Sequence, residues 1–256
     1  MKNILTKIFS SKAELNSKEK SFLEITKKTK VLEIFKAISN YNEESEIRYV
    51  GGCIRKILSK EKFDDIDLAT NLKPNDVKEC LKNNNIDFFE TGIEHGTITA
   101  RLDEKNFEIT SLRRDVTTDG RHAEVEFTKE WTEDALRRDF TINSIYSDKE
   151  GNLFDPNDGV KDLECGKVEF IGDPEKRIKE DYLRILRYIR FFANYSKQDH
   201  KLNVKKIIKQ NISGVIKLSK ERLIDELKKL VISKGFTKIC DDEFSKDILQ
   251  LIFPQL

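Results

Sequence analysis

Arg48-Tyr-Val-Gly-Gly-Cys-Ile-Arg-Lys-Ile-Leu-Ser-Lys-Glu-Lys-Phe-Asp-Asp-Ile-Asp-Leu-Ala-Thr70 is the stretch on which the fold turns. Tyr49 and Val50 form a short apolar run that reads as a strand ending at Gly51-Gly52. Paired glycines let the backbone turn tightly and approach a ligand closely. A short helix is expected from Cys53 to Leu58, its first N–H groups pointing back over the glycines, which suits phosphate. Beyond a charged loop, Asp65-Ile66-Asp67 lies in an apolar stretch. Residues i and i+2 of a strand share a face, so both carboxylates project together. Like charges that close repel unless a cation sits between them, and hard oxygen ligands suit Mg2+. A glycine turn followed by paired carboxylates is the layout of phosphoryl or nucleotidyl transfer. Either half alone is common in proteins with no such chemistry.

A chain of 256 residues, 38% hydrophobic and 36% charged, is too apolar for disorder and long enough for one large domain or two modest ones. Its apolar runs fall well short of a membrane span. The basic start, Met1 to Phe9, has no apolar core or small-residue cleavage site after it, so no secretory signal is expected. Cys53, Cys80, Cys165 and Cys240 are scattered, with no zinc spacing, and read as reduced packing thiols of a cytoplasmic protein. A net charge of +1 hides an asymmetry: residues 176–230 carry 16 Lys or Arg against 6 Asp or Glu, a net of +10, which leaves −9 elsewhere. Such a split points to a polyanion across one part and a metal in the other.

Along the chain, residues 12–39 read as a helix or broken pair, and 73–84 as a helix. Residues 87–90, 97–102 and 106–112 read as strands, with a hairpin turn at 103–106. Glu108 lies in the last of these strands and could complete a third carboxylate if that strand neighbours Asp65 and Asp67; an edge Glu facing water is the alternative. Residues 113–122 are polar and without period, and read as a long mobile loop. Helix is expected from Trp131 with Thr132 as its cap, carrying Arg137-Arg138-Asp139; an Arg can fork onto phosphate and an Asp can accept from a ribose hydroxyl. After a short strand at 168–171 only helices are expected, over roughly 175–195, 203–209, 220–231 and 241–251.

Residues 179–193 hold Lys-Glu-Asp-Tyr-Leu-Arg-Ile-Leu-Arg-Tyr-Ile-Arg-Phe-Phe-Ala. On one helix, Tyr182, Ile185, Leu186, Ile189 and Phe192 share a packing face, opposite Glu180, Asp181, Arg184, Arg187 and Arg190. That polar side reads either as a salt-bridged solvent face or as an acceptor–donor array matching the edge of a base.

Val-Gly-Gly-Cys-Ile-Arg, Asp-Ile-Asp-Leu-Ala-Thr, Arg-Arg-Asp-Phe-Thr-Ile-Asn, Ile-Gly-Asp-Pro and Glu-Asp-Tyr-Leu-Arg-Ile-Leu-Arg-Tyr-Ile-Arg-Phe stand in this order. As a set, over about residues 30–230, they resemble the class II bacterial CCA-adding tRNA nucleotidyltransferase and poly(A) polymerase family. The resemblance implies an α+β fold: a polymerase-β-like nucleotidyltransferase head with a small mixed sheet, then an all-α neck and a short body. It implies an N-terminal helical segment at 1–45, a head at 46–172, a neck at 173–232 that selects nucleotide and binds RNA, and a short remnant of the helical body at 233–256. Asp65 and Asp67 resemble the catalytic, metal-binding pair, and Gly52 and Arg55 the triphosphate turn. Arg138 and Asp139 match the ribose-contacting pair, and Asp181 and Arg184 the residues that template the incoming C or A. Arg187 and Arg190 match phosphate and structural arginines. Arg114, Asp115, Asp119, Gly120 and Arg121 fall in the flexible loop needed to switch from C to A. Two departures are Lys56, where an acid is usual, and Ser144, where Ala is.

The implied activity is template-independent addition of C, C and A to tRNA 3′ ends from CTP and ATP with two Mg2+ ions, releasing pyrophosphate. Partners are then tRNA and nucleoside triphosphates, with no DNA and no membrane. A CC-adding, A-adding or poly(A)-making relative shares the same head. A catalytically silent RNA-binding homologue is disfavoured, since it has no reason to keep a repulsive carboxylate pair.

Overall fold

The computed structural model describes Phe22, Ile25 and residues 29–63, 65–119 and 122–254, with side chains at all of these except 116–119 and 122–124. The chain forms two compact units. The first gathers the described residues up to Arg114, then Val125–Ala135 and Asn143–Pro156; the second gathers Asp115–Glu124, Leu136–Ile142 and Asn157–Leu256. Leu136–Ile142 and residues 157–172, read from the sequence as head, group by packing with the helices.

The first unit is built on a seven-stranded mixed sheet. Its elements are α1 (Val31–Ser39), β1 (Ile47–Val50), α2 (Gly52–Leu58), β2 (Asp67–Thr70), α3 (Pro74–Asn83), β3 (Asp87–Gly92), β4 (Thr97–Leu102), β5 (Lys105–Ser111), α4 (Trp131–Leu136), β8 (Tyr146–Ser147) and β9 (Leu153–Phe154). The strand order is β3-β4-β5-β2-β1-β8-β9. β1 and β2 are antiparallel, with Tyr49 opposite Leu68, whereas β2 and β5 are parallel. The turn between β4 and β5 is Asp103-Glu104, both at positive φ (46° and 63°), as a tight two-residue hairpin demands. Val50, Ala69, Leu112, Trp131, Ala135 and Tyr146 pack together as one core cluster. Tyr49 packs against Phe35 of α1 and against Phe22. Most of the helical stretch expected before residue 31 lies outside the described residues.

Two expectations change here. Residues 113–119 and 122 are not irregular loop: β6 (Arg113–Asp119) and β7 (His122–Phe127) pair as a separate two-stranded sheet. A ribbon that joins no larger sheet need not alternate apolar and polar residues, so period gives no clue to it. Arg114 and Glu126 form an exposed ion pair across it at 2.8 Å, and Gly120 and Arg121 lie outside the described residues. The helix at Trp131 spans only six residues, with Thr132 inside its first turn rather than capping it.

The second unit comprises α5 (Gly159–Glu164), α6 (Pro174–Glu180), α7 (Leu183–Tyr195), α8 (Leu202–Asn211), a 3-10 turn (Ile212–Lys217), α9 (Lys220–Val231), α10 (Phe236–Ile239) and α11 (Glu243–Ile252). The strand expected near residue 170 is a single bridge from Phe140 to Phe170. Phe140, Ile178, Ile185, Tyr188, Ile189, Ile208 and Ile248 form its core. Among the described residues no helix is long and apolar enough to cross a membrane.

His200 joins the end of α7 to the start of α11. Its Nδ1 lies 3.0 Å from the Tyr188 hydroxyl and its Nε2 lies 2.7 Å from Asp242 Oδ2 and 3.5 Å from the Ser245 hydroxyl, while the ring stacks on Phe192. A neutral ring satisfies this geometry, accepting from Tyr188 and donating to Asp242. Burial lowers its pKa and the Lys205 charge adds to that, against the raising effect of Asp242 and Asp199. A depressed imidazole pKa favours the folded state above the ordinary value of about 6.5 and withdraws that stability as pH falls below it. Thermal melts taken from about pH 7.5 to about pH 5.5 should therefore show a larger drop in Tm for the natural chain than for His200→Asn.

Candidate active site

The end of β1 and the start of β2 define the candidate site in the first unit. Gly51 takes φ 69°, donates its N–H to the Ile145 carbonyl, and delivers the chain into α2. A Cβ placed on Gly52 would stand 3.8 Å from Asp67 Oδ2 and 4.0 Å from Arg55 Nη2. The bare backbone of Gly52 thus lies between a carboxylate and a guanidinium. Arg55 is buried, and its Nη1 donates to Asn143 Oδ1. Cys53 pins the turn: its thiol donates to the Val50 carbonyl at 3.3 Å and reaches the Asp67 carbonyl at 3.8 Å. Burial, with the Asp67 charge adding, pushes that thiol up to about 12, so it stays protonated and inert. Cys80 is also buried, pushed up to about 11, while Cys165 and Cys240 are exposed rather than packed.

β2 begins at Asp67, so Asp65 precedes the strand proper. The alternation holds nonetheless, with Asp65 exposed, Ile66 buried and Asp67 half-buried. Glu108 of β5 stands in register beside Asp67 across the parallel pair and is exposed. Among the described residues no group of three His, Cys, Asp or Glu is gathered closely enough to hold a metal. The donor set is therefore two carboxylates with a third one strand away. A cleft of about 440 Å3 opens beside Phe35, Arg48 and Phe154, at the start of β1 away from the glycine turn, and holds none of these groups.

In the second unit the single helix expected over 175–195 is two. Asp181 is extended (φ −153°, ψ 105°) and separates α6 from α7. Its side chain is the physical reason: Oδ1 accepts the Leu183 N–H at 3.1 Å and so caps the new helix, while Oδ2 accepts from Arg222 of α9 at 2.8 Å. Arg184 folds back to donate to the Arg177 carbonyl at 2.7 Å and to Glu180. Arg177 donates to the carbonyls of Arg137 and Arg138, which fixes the backbone leading into Asp139. Arg187 reaches Asp139 Oδ2 through Nε at 2.7 Å, and Arg190 reaches the buried Glu226 at 2.6 Å. Burial works against the Arg187 charge, but Asp139 and Glu226 outweigh it and raise its pKa. Asp139, Arg187, Glu226 and Arg190 thus alternate in sign.

Residues 47–169 match the poly A polymerase head domain. This stretch belongs to that family. Human mitochondrial CCA tRNA nucleotidyltransferase 1 is 49% identical over 213 residues, which is 82% of this chain and 49% of that protein. The CCA-adding enzyme of Lactobacillus helveticus is 34% identical over 225 residues, 82% of this chain and 55% of that protein. Among solved structures, the Bacillus stearothermophilus CCA-adding enzyme in complex with CTP superposes with a TM-score of 0.72 at 27% identity, over 84% of this chain and 50% of that one. A tRNA nucleotidyltransferase with a primer tRNA and an incoming ATP analogue superposes at 0.66 and 25% identity, over 82% and 60%. The chain spans about half the length of the curated relatives it matches. The head carries the α+β fold expected of it.

Glu180 pairs with Arg184 four residues on, as the salt-bridged reading of that face expects, whereas Asn143, Arg177, Arg222 and Glu226 had no assigned site role in the sequence. Asn143 closes the Arg-Arg-Asp-Phe-Thr-Ile-Asn motif, which was the one signal for it. Arg177 pairs locally with Glu180, but its bonds to Arg137 and Arg138, like those of Arg222 and Glu226, join segments about forty residues apart that no local spacing links. Glu226→Ala should leave two arginines without their shared buried carboxylate and cost about 3–5 kcal/mol in urea unfolding; Glu226→Gln should lose less.

Proposed function

We propose that this chain is a nucleotidyltransferase that adds C, C and A to tRNA 3′ ends from CTP and ATP. The observation that carries the reading is Gly52 set between Asp67 and Arg55. It is supported by two relatives named for CCA addition and by the solved relatives holding CTP or a tRNA with an ATP analogue.

Asp65 and Asp67 supply hard oxygen donors alone, with Glu108 in register beside them, a set that fits Mg2+. Two such ions, when bound, would sharpen the nucleophilicity of the RNA 3′-hydroxyl and offset charge on the triphosphate. The chain's own residues do the positioning. Gly52 leaves room for the triphosphate against the turn, and Arg55, steered by Asn143, faces it with donors. Arg138 and Asp139 contact the ribose, with Asp139 held by Arg187. Asp181 and Arg184 offer acceptor and donor to the base edge, while Arg187 and Arg190 keep that end of α7 braced. The segment of Arg114, Asp115, Asp119, Gly120 and Arg121 serves the switch from C to A. Functionally we divide the chain as an N-terminal segment at 1–45, head at 46–172, neck at 173–232 and the helical remnant at 233–256. All four cysteines are free thiols, which suits a reducing compartment; the cytoplasm is one, and the human relative is named as mitochondrial.

The test is extension of a tRNA ending at its discriminator base. CTP and ATP together should give C-C-A, and CTP alone should stop after C-C. Addition of C-C only, of A only, or of a long A tract would instead assign the corresponding relative. Asp67→Ala should lower incorporation by about a thousand-fold or more and weaken Mn2+ binding seen by electron paramagnetic resonance, with Tm little changed. Unchanged turnover in that variant would remove Asp67 from the reaction.

A further inference from the structure

We propose that Arg222 is a positioning residue that sets nucleotide specificity: it holds the Asp181 carboxylate in the aim that favours C and A over U and G. The inference rests on the nucleotidyltransferase reading and adds a residue that governs selection without touching the base.

Cytosine and adenine each set an exocyclic amine beside a ring nitrogen that accepts a hydrogen bond. Uracil and guanine instead set a carbonyl oxygen beside a ring N–H. An acceptor next to a donor on the protein matches the first two edges and mismatches the others. Asp181 and Arg184 form such an array only while the carboxylate keeps its direction. The last torsion of an aspartate is broad, so that direction has to be imposed by neighbours.

Both carboxylate oxygens are held. Oδ1 accepts the Leu183 N–H at 3.1 Å, a bond made within the local chain, and Oδ2 accepts from Arg222 Nη2 at 2.8 Å, from 41 residues away. A carboxylate offers about four lone-pair sites, so two bonds leave it able to accept from a base amine. Arg184 is steadied in the same way: its bonds to the Arg177 carbonyl and to Glu180 both use Nη1, and the guanidinium has Nε and Nη2 besides. Tyr182, the residue after Asp181, is wedged as well, since any Cβ on Gly214 of the 3-10 turn would overlap its ring.

Helix stability does not account for Arg222. It stands in the first turn of α9, where the Ser219 hydroxyl accepts its N–H at 3.5 Å and where the helix dipole disfavours a cation. Nor is the pair a strong staple between helices. Asp181 and Arg222 keep 27% and 35% of their side chains exposed, and ion pairs so open to water contribute little. The buried Glu226 with Arg190 shows what a sealed pair looks like in this unit. What exposure gives the Asp181–Arg222 pair is access, since a nucleotide can reach it.

The test measures discrimination. Arg222→Met keeps the apolar stem and removes the donors; it is compared with Arg222→Lys, with Asp181→Ala, with the Asp181→Ala/Arg222→Met double variant, and with Lys229→Gln, an exposed neighbour on α9. Incorporation of CTP and of UTP on tRNA lacking its 3′ C-C-A gives the ratio of the two kcat/KM values, and calorimetry gives the ratio of the two Kd values. Arg222→Met should lower the preference for CTP by about tenfold or more, Arg222→Lys should recover part of it, and Lys229→Gln should match the natural chain. Because Arg222 acts through Asp181, adding Arg222→Met to Asp181→Ala should lower the preference no further. An unchanged ratio in Arg222→Met, or equal losses for CTP and UTP, would make the pair a plain staple and overturn the proposal while leaving the activity standing. A further fall in the double variant would also overturn it. Should the natural chain bind CTP over UTP yet incorporate neither, the activity fails, and collapse of the Kd ratio in Arg222→Met would still uphold the role of Arg222. A natural chain with no preference between CTP and UTP would overturn that role outright.

Discussion

One pairing sets the geometry of the first unit: Tyr49 opposite Leu68 in the antiparallel β1–β2 ladder. In that register the residues just past β1 are Gly51 and Gly52 and the first residue of β2 is Asp67, so glycine turn and carboxylate come together without a long-range loop. A slip of one residue would turn Leu68 outward and Asp67 into the core. Packing prevents it. Leu68, Tyr49 and Val50 are fully or almost fully buried, and the Cys53 thiol bonds to carbonyls on both strands. The cysteine contributes geometry here and no reactivity.

The same ladder explains why this region was legible in the sequence. Strand, turn and helix are encoded within the 23 residues from Arg48 to Thr70 by elements that act locally: apolar run, glycine pair, helix formers, alternating acids. Exposure alternates from Asp65 to Asp67 even though the ladder starts only at Asp67, because burying Ile66 already fixes which way its neighbours face. Glu108 could be flagged but not placed, since its position depends on β5 running parallel beside β2, a pairing made by residues some forty apart.

Where the reading failed, the decisive interaction was distant or nonperiodic. Across 180–193 the apolar pattern continues as though one helix ran through, yet the backbone breaks at Asp181. Apolar spacing reports which side is buried and is blind to a carboxylate that caps a new helix while bonding to Arg222, about forty residues on. The strand pair β6–β7 was missed because residues 113–119 carry no apolar alternation and the pair joins no larger sheet.

The two units treat charge by different rules, and this bears on what each can bind. In the first, Asp65 and Asp67 follow the glycine turn with Glu108 in register on the next strand, exposed or half-buried and so open to solvent or a cation. In the second, the arginines nearest the core are each matched to a carboxylate, in an order of signs that holds α7 to α9 and to Asp139. Matched pairs in a partly buried setting orient side chains more than they attract distant ligands. Long-range attraction therefore falls to exposed lysines outside these pairs, among them Lys176, Lys206, Lys217, Lys220 and Lys229. Arginines thus carry the matched, buried pairs and lysines the exposed charge, as the rigidity of a guanidinium fork and the mobility of an ammonium would favour.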